Sequence, residues 1–170
     1  ELHQDVIMEI IEVDSDDLPD VCCLNRPFDN QTQDRIRLES EAILLILAGC
    51  ETGKWYLLGS EVIDYEVSVT PDPERKEKVG VFTKLAHEKI KVDEGVNKRA
   101  NYFVSLGFKP FDALHLACAE SVVAEVLLTT DDKFLSKAKK NKNKLRVRVE
   151  NPVIWGSSLN RVGNAIKPAK

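Results

Sequence analysis

Short apolar runs alternate with longer segments of helical periodicity along most of this chain. That alternation restricts the fold more than any other feature. Apolar runs at 20–24, 55–58, 90–92, 126–128 and 145–149 read as strands. Between them, helices are expected at about 32–48, 60–67, 73–87, 97–106, 111–122 and 133–139. Ser60 stands where an N-cap belongs, Pro110 where a helix opens, and Gly49 and Gly107 where helices stop. Strands that alternate with helices imply an α/β domain whose sheet is mostly parallel and covered on both faces. In such sheets functional groups collect beyond the carboxyl ends of strands. The expected division is an N-terminal extension at 1–19, the α/β domain at 20–155 and a C-terminal tail at 156–170. Val153, Ile154 and Trp155 anchor that tail.

With 170 residues, 43% hydrophobic and 31% charged, the chain can bury one ordinary core and is not of disordered composition. Its longest apolar stretch, 42–48, is far shorter than a bilayer requires, so no membrane span is expected. No cleavable leader pattern opens it, and a start at Glu1 reads as processed, trimmed or cut from something longer. Cys22, Cys23, Cys50 and Cys118 lack zinc-type spacing and read as reduced, buried thiols of a cytoplasmic protein. The net charge of −4 does not announce a nucleic-acid binder. A basic run from Lys133 to Arg148, including Lys137, Lys139 and Lys140, nevertheless offers a local surface for phosphate. A solvated helix-and-loop surface explains the same run equally well.

Four places put carboxylates against apolar sequence. Asp112 lies in the first turn of the apolar helix Phe111-Asp112-Ala113-Leu114-His115-Leu116-Ala117, where the helix dipole favours it. Glu66 lies near the end of its helix, where the dipole disfavours it and another partner is needed. Asp131 and Asp132 follow a buried strand, and either suits an N-cap. Asp20 falls in an apolar run, and a buried carboxylate is costly unless paired or metal-bound. A fold that gathers these groups repels itself unless cations neutralise it, and such hard oxygen ligands suit Mg²⁺ or Mn²⁺.

Four segments taken together resemble the PIN-domain family, nearest the VapC-like bacterial proteins. They are Asp20-Val21-Cys22-Cys23-Leu24-Asn25-Arg26-Pro27-Phe28-Asp29, Arg35-Ile36-Arg37-Leu38-Glu39-Ser40-Glu41-Ala42, the Asp112 helix, and Thr129-Thr130-Asp131-Asp132-Lys133-Phe134. The resemblance spans about 20–152. It implies a three-layer α/β/α sandwich with an acidic cluster at one end, and metal-dependent cleavage of RNA. Matched position by position, Asp20, Glu66, Asp112 and Asp131 are the implied catalytic carboxylates. Asp20, Asp112 and Asp131 are the implied ligands of Mg²⁺ or Mn²⁺, with Asn25 and Asp132 as auxiliaries. Lys137, Lys139 and Lys140 are expected to hold the RNA backbone without reading its sequence. The resemblance further implies a homodimer, and the toxin of a toxin–antitoxin pair silenced by a small antitoxin protein.

Two features run against the pattern. Pro19, directly before Asp20, cannot donate to a sheet ladder and shortens the first strand. That favours an alternative in which a PIN fold binds RNA or protein without cutting. The stretch Ile10-Ile11-Glu12-Val13-Asp14-Ser15-Asp16 superficially resembles the opening of haloacid-dehalogenase-type phosphohydrolases, but no matching downstream pattern follows. His115 reads as a packed helix histidine rather than an acid or ligand, and Trp55 and Trp155 as packing residues.

Overall fold

The computed structural model describes the backbone of Ile7–Ile11 and of 23–165, and the side chains of 23–158. Along it run β1 (Ile7–Ile11), a 3-10 turn (Cys23–Phe28), α1 (Asp34–Glu51), β2 (Leu58–Ser60), α2 (Glu61–Ser68), α3 (Pro73–Thr83) and β3 (Glu88–Ile90). They are followed by α4 (Glu94–Ser105), α5 (Pro110–Ser121), β4 (Val126–Thr129), α6 (Asp132–Lys140), a 3-10 turn (Lys142–Lys144), β5 (Arg148–Glu150) and α7 (Pro152–Ala165). The architecture is α/β, mostly helical, with short strands in two small sheets.

Every ladder between described strands is parallel. One sheet has the order β1-β4-β5 and the other pairs β2 with β3. β1 also runs close to β2, so the two sheets meet at β1. Parallel neighbours need crossovers, and the helices supply them. Buried on both faces, β4 sends Val126 and Leu128 into a core with Ile43, Ile46, Leu47 and Cys50 of α1 and Trp155 of α7. Its Leu127 points the other way, into a core with Phe103 of α4, Leu116 and Ala117 of α5 and Phe134 of α6. An unbroken apolar run is therefore what this strand requires.

Local chemistry sets the helix starts. Ser60 Oγ accepts from Ile63 N at 3.2 Å and opens α2. Asp72 and Asp93 cap α3 and α4 in the same way, with Pro73 in the first turn of α3. Gly107 ends the α4 region at a φ of 94°, a backbone conformation that calls for glycine.

Several expectations shift. The strand expected at 20–24 is not found in its described part. Cys23 and Leu24 belong to the 3-10 turn, pinned where the Ser40 hydroxyl donates to Arg26 O at 2.7 Å. The edge of β4 is taken instead by β1, drawn from within 1–19. Gly49 does not stop α1, which continues to Glu51. Gly49 makes room for the Trp55 ring, which a Cβ there would strike. β2 and β3 are displaced by two or three residues from the apolar runs that signalled them, and β5 starts three residues later than its run and ends one residue beyond it. The sequence expected as a tail after Pro152 is helical through Ala165. Asn151 Oδ1 accepts from Val153 N at 2.8 Å to start α7, and Trp155 is buried beneath it.

Candidate metal centre

One buried carboxylate, Asp131, stands at the carboxyl end of β4, and its charge reaches a second, Asp112. Asp131 follows the strand directly, and Thr129 Oγ1 accepts its backbone N–H at 3.1 Å. Its Oδ1 accepts from Lys133 N at 2.7 Å and Phe134 N at 3.1 Å, which makes it the N-cap of α6. Its Oδ2 is buried and has no hydrogen-bond partner among the described residues. Asp112 enters from the first turn of α5 and is 3% exposed. Its Oδ1 likewise has no partner among the described residues. Burial pushes the Asp112 carboxyl up to about 7 from an ordinary 3.8. Among the charges around it, His115 pulls the value down most, Asp131 pushes it up, and Lys109 and Glu66 add weaker effects of opposite sign. These groups are therefore close enough to sense one another.

Glu66, in the last turns of α2, is 3% exposed and meets His115 of α5, with Oε2 and Nε2 3.0 Å apart. This is the partner that an acidic group near a helix C-terminus requires. It also fastens α2 to α5 beside Asp112. His115 is fully buried, as a packed helix histidine should be.

Other expected site residues lie differently. Asp20 falls outside the described residues. Asn25, 3% exposed in the 3-10 turn, has no hydrogen-bond partner for either side-chain polar atom among the described residues. The turn that carries it touches the end of β4, where the Cys23 thiol donates to Leu128 O at 3.7 Å. Asp132 turns away from Asp131 into solvent and takes a two-pronged contact from Arg35, at 2.7 and 2.8 Å. The guanidinium holds the Asp132 carboxyl below its usual value. Lys137, Lys139 and Lys140 occupy the last turn of α6, where their charge complements the helix dipole. At ~1.5 Å per residue that turn lies roughly 12 Å along the helix from Asp131.

One buried carboxylate escaped the sequence reading. Glu39 of α1 is 1% exposed and accepts from Arg26 Nε at 2.9 Å, Arg35 Nε at 2.8 Å and Asn151 Nδ2 at 3.1 Å. It joins the 3-10 turn, α1 and the start of α7. The spacing of Arg35 and Glu39, four residues apart on one helix, was the available signal.

Among the described residues, no three His, Cys, Asp or Glu side chains stand close enough together to hold a metal ion. Asp112 and Asp131 nonetheless offer unpartnered hard oxygens of the kind Mg²⁺ or Mn²⁺ takes. No described helix is long and apolar enough to cross a membrane. No family model, curated protein or solved structure matches the chain.

Proposed function

We propose that this chain is a metal-dependent endoribonuclease of PIN type, built as a three-layer α/β/α sandwich. The observation that carries the proposal is the buried pair Asp112 and Asp131. Each keeps a carboxylate oxygen without a hydrogen-bond partner among the described residues, Asp131 just beyond the parallel strand β4 and Asp112 in the first turn of α5. A buried, self-repelling acidic pair is costly, and a divalent cation relieves the cost. Asp112, Asp131 and Asp20 are the residues to hold Mg²⁺ or Mn²⁺. Bound there, the ion would supply a water of lowered pKa and neutralise charge on the attacked phosphate.

The chain's own groups have separable tasks. Asp131 presents Oδ2 while its other oxygen fixes the start of α6. Glu66, oriented by His115, adds negative charge beside Asp112 and holds α2 against α5. Asn25 brings a buried amide, free to orient a ligand, to the turn beside β4. Lys137, Lys139 and Lys140 are the proposed contacts to RNA phosphates away from the carboxylates. By the same resemblance, the partners are a second copy of the chain and a small antitoxin protein.

The test is cleavage of a mixed RNA pool by the wild type and Asp112→Asn, with Mg²⁺, with Mn²⁺ and with chelator. Cutting by the wild type alone, and only with metal, is the expected result. A second reading, a PIN fold that binds RNA or protein without cutting, draws on the lack of a three-ligand group among the described residues. It expects binding that persists in chelator and survives Asp112→Asn. A well-folded wild type that cuts nothing under any of these conditions would decide for it.

A further inference from the structure

Two aromatic rings stand immediately before the two site residues on α2 and α5. Tyr65 precedes Glu66 and Phe111 precedes Asp112. Successive helix residues are turned by ~100°. A ring one position before a buried carboxylate is thus carried from the interior toward the lip of the site. The rings stack almost parallel, with centroids 5.9 Å apart and planes inclined by 13°. Phe111 covers one side of Tyr65, yet Tyr65 remains 55% exposed.

The other phenylalanine contacts on this side of the molecule differ. Phe103, Phe108 and Phe134 meet edge to face and are buried. They fill a core against which Phe111 packs with part of its surface, whereas Tyr65 stands exposed on the other side of Phe111's ring. The Glu66–His115 contact locks the two helices that carry it. An exposed cation, Lys109, stands two residues before Phe111, at the start of α5.

We infer that Tyr65, backed by Phe111, is a stacking platform for one unpaired base of the RNA, with Lys109, at the start of the helix that carries Phe111, to meet a neighbouring phosphate. The inference rests on the ribonuclease reading above and adds a base-holding position to it. Exposed aromatic rings on which bases stack, with basic side chains that follow the backbone, are the means by which proteins hold unpaired nucleotides without reading sequence. A duplex does not offer such a face, because its bases already stack on one another. Tyr65 and Phe111 each directly precede a buried carboxylate, Glu66 and Asp112, so a base seated on Tyr65 would bring its own phosphate toward Asp112.

The test measures binding of a short fluorescein-labelled single-stranded RNA, and of the same RNA annealed to its complement, by fluorescence anisotropy. The full chain carries Asp112→Asn so that nothing is cut, and Mg²⁺ is present. Adding Tyr65→Ala is expected to weaken single-strand binding by about 5-fold or more, the effect of losing one stacked base. Tyr65→Trp is expected to keep or strengthen it, and duplex binding should not change. Unchanged single-strand affinity in Tyr65→Ala, an equal loss for duplex, or no RNA binding by the parent protein would each overturn the inference. The cutting assay separates the two claims. A wild type that never cuts, with binding that still depends on Tyr65, ends the nuclease reading and leaves the platform standing.

Discussion

The Asp112 carboxyl makes stability a function of pH in a direction that can be worked out. In the unfolded chain it ionises near 3.8, and in the folded protein near 7. Below 3.8 it is protonated in both states and carries no penalty. Between the two values the folded state binds a proton that the unfolded state has released, so stability falls as pH rises. Above 7 both states are ionised and the penalty is constant. At ~1.4 kcal/mol per pH unit, the interval from 3.8 to about 7 amounts to about 4 kcal/mol. That is a large share of the ~5–15 kcal/mol typical of a domain. Asp112→Asn removes the titration and keeps nearly the same volume. The assay is urea unfolding of both proteins in chelator from pH 4 to pH 9. The wild type should lose stability relative to Asp112→Asn across that range, by about 4 kcal/mol in all, and then run parallel to it above pH 8. Adding Mn²⁺ at pH 8 should restore the wild type more than the variant, because only the wild type offers the charged ligand. A stability difference that does not vary between pH 4 and pH 8 would refute the reasoning. It would mean that Asp112 is ionised at no cost.

Two further perturbations test the packing that holds the site. Glu39→Ala leaves Arg26, Arg35 and Asn151 without their common acceptor, and should cost about 1–3 kcal/mol in urea unfolding, since both arginines keep a second carboxylate. Gly49→Ala drives a methyl group into the Trp55 ring and should cost about 1–3 kcal/mol, although alanine is the better helix former. A stabilised Gly49→Ala would show that Trp55 moves aside freely.

The parallel α/β class was legible because short apolar runs alternate with segments of helical period and several helix starts carry their own signal. Ser60 and Pro110 act locally, so their reading survives any tertiary context. The strands were legible only to within a few residues. β2 and β3 are three residues long, too short for alternation to fix an end. Gly49 misled because glycine terminates a helix or admits a neighbouring ring by the same lack of a Cβ, and sequence does not say which. Trp155 read as an anchor, but the α7 helix around it depends on Asn151 and on burial against α1, both tertiary facts. In the site, Asp112, Asp131 and Glu66 were found by their place against apolar sequence. The Glu66–His115 contact joins residues 49 apart and left no local trace. Asp132 shows the opposite case. It is adjacent to Asp131 and chemically identical, yet it is engaged by Arg35, 97 residues away.

Asp131 divides its work between two oxygens, and that division yields a variant that separates structure from chemistry. Oδ1 holds two backbone N–H groups at the start of α6, whereas Oδ2 is buried and has no partner among the described residues. Asparagine keeps an oxygen in the capping position and ranks with aspartate as an N-cap, so Asp131→Asn should leave α6 intact. It removes the charge on the other oxygen. Alanine removes both, and Asp131→Ala should cost a further ~0.5–2 kcal/mol for the lost cap. Charge on Asp131 is also one of the causes that raise the Asp112 carboxyl. In Asp131→Asn the pH at which Asp112 titrates should therefore move down, which carboxyl-carbon NMR of Asp112 would read directly. A cap-competent, folded Asp131→Asn protein in which Asp112 titrates as in the wild type would show that the two carboxylates are not coupled. The argument for a cation between them would then lose its electrostatic basis, whatever the RNA assay returned.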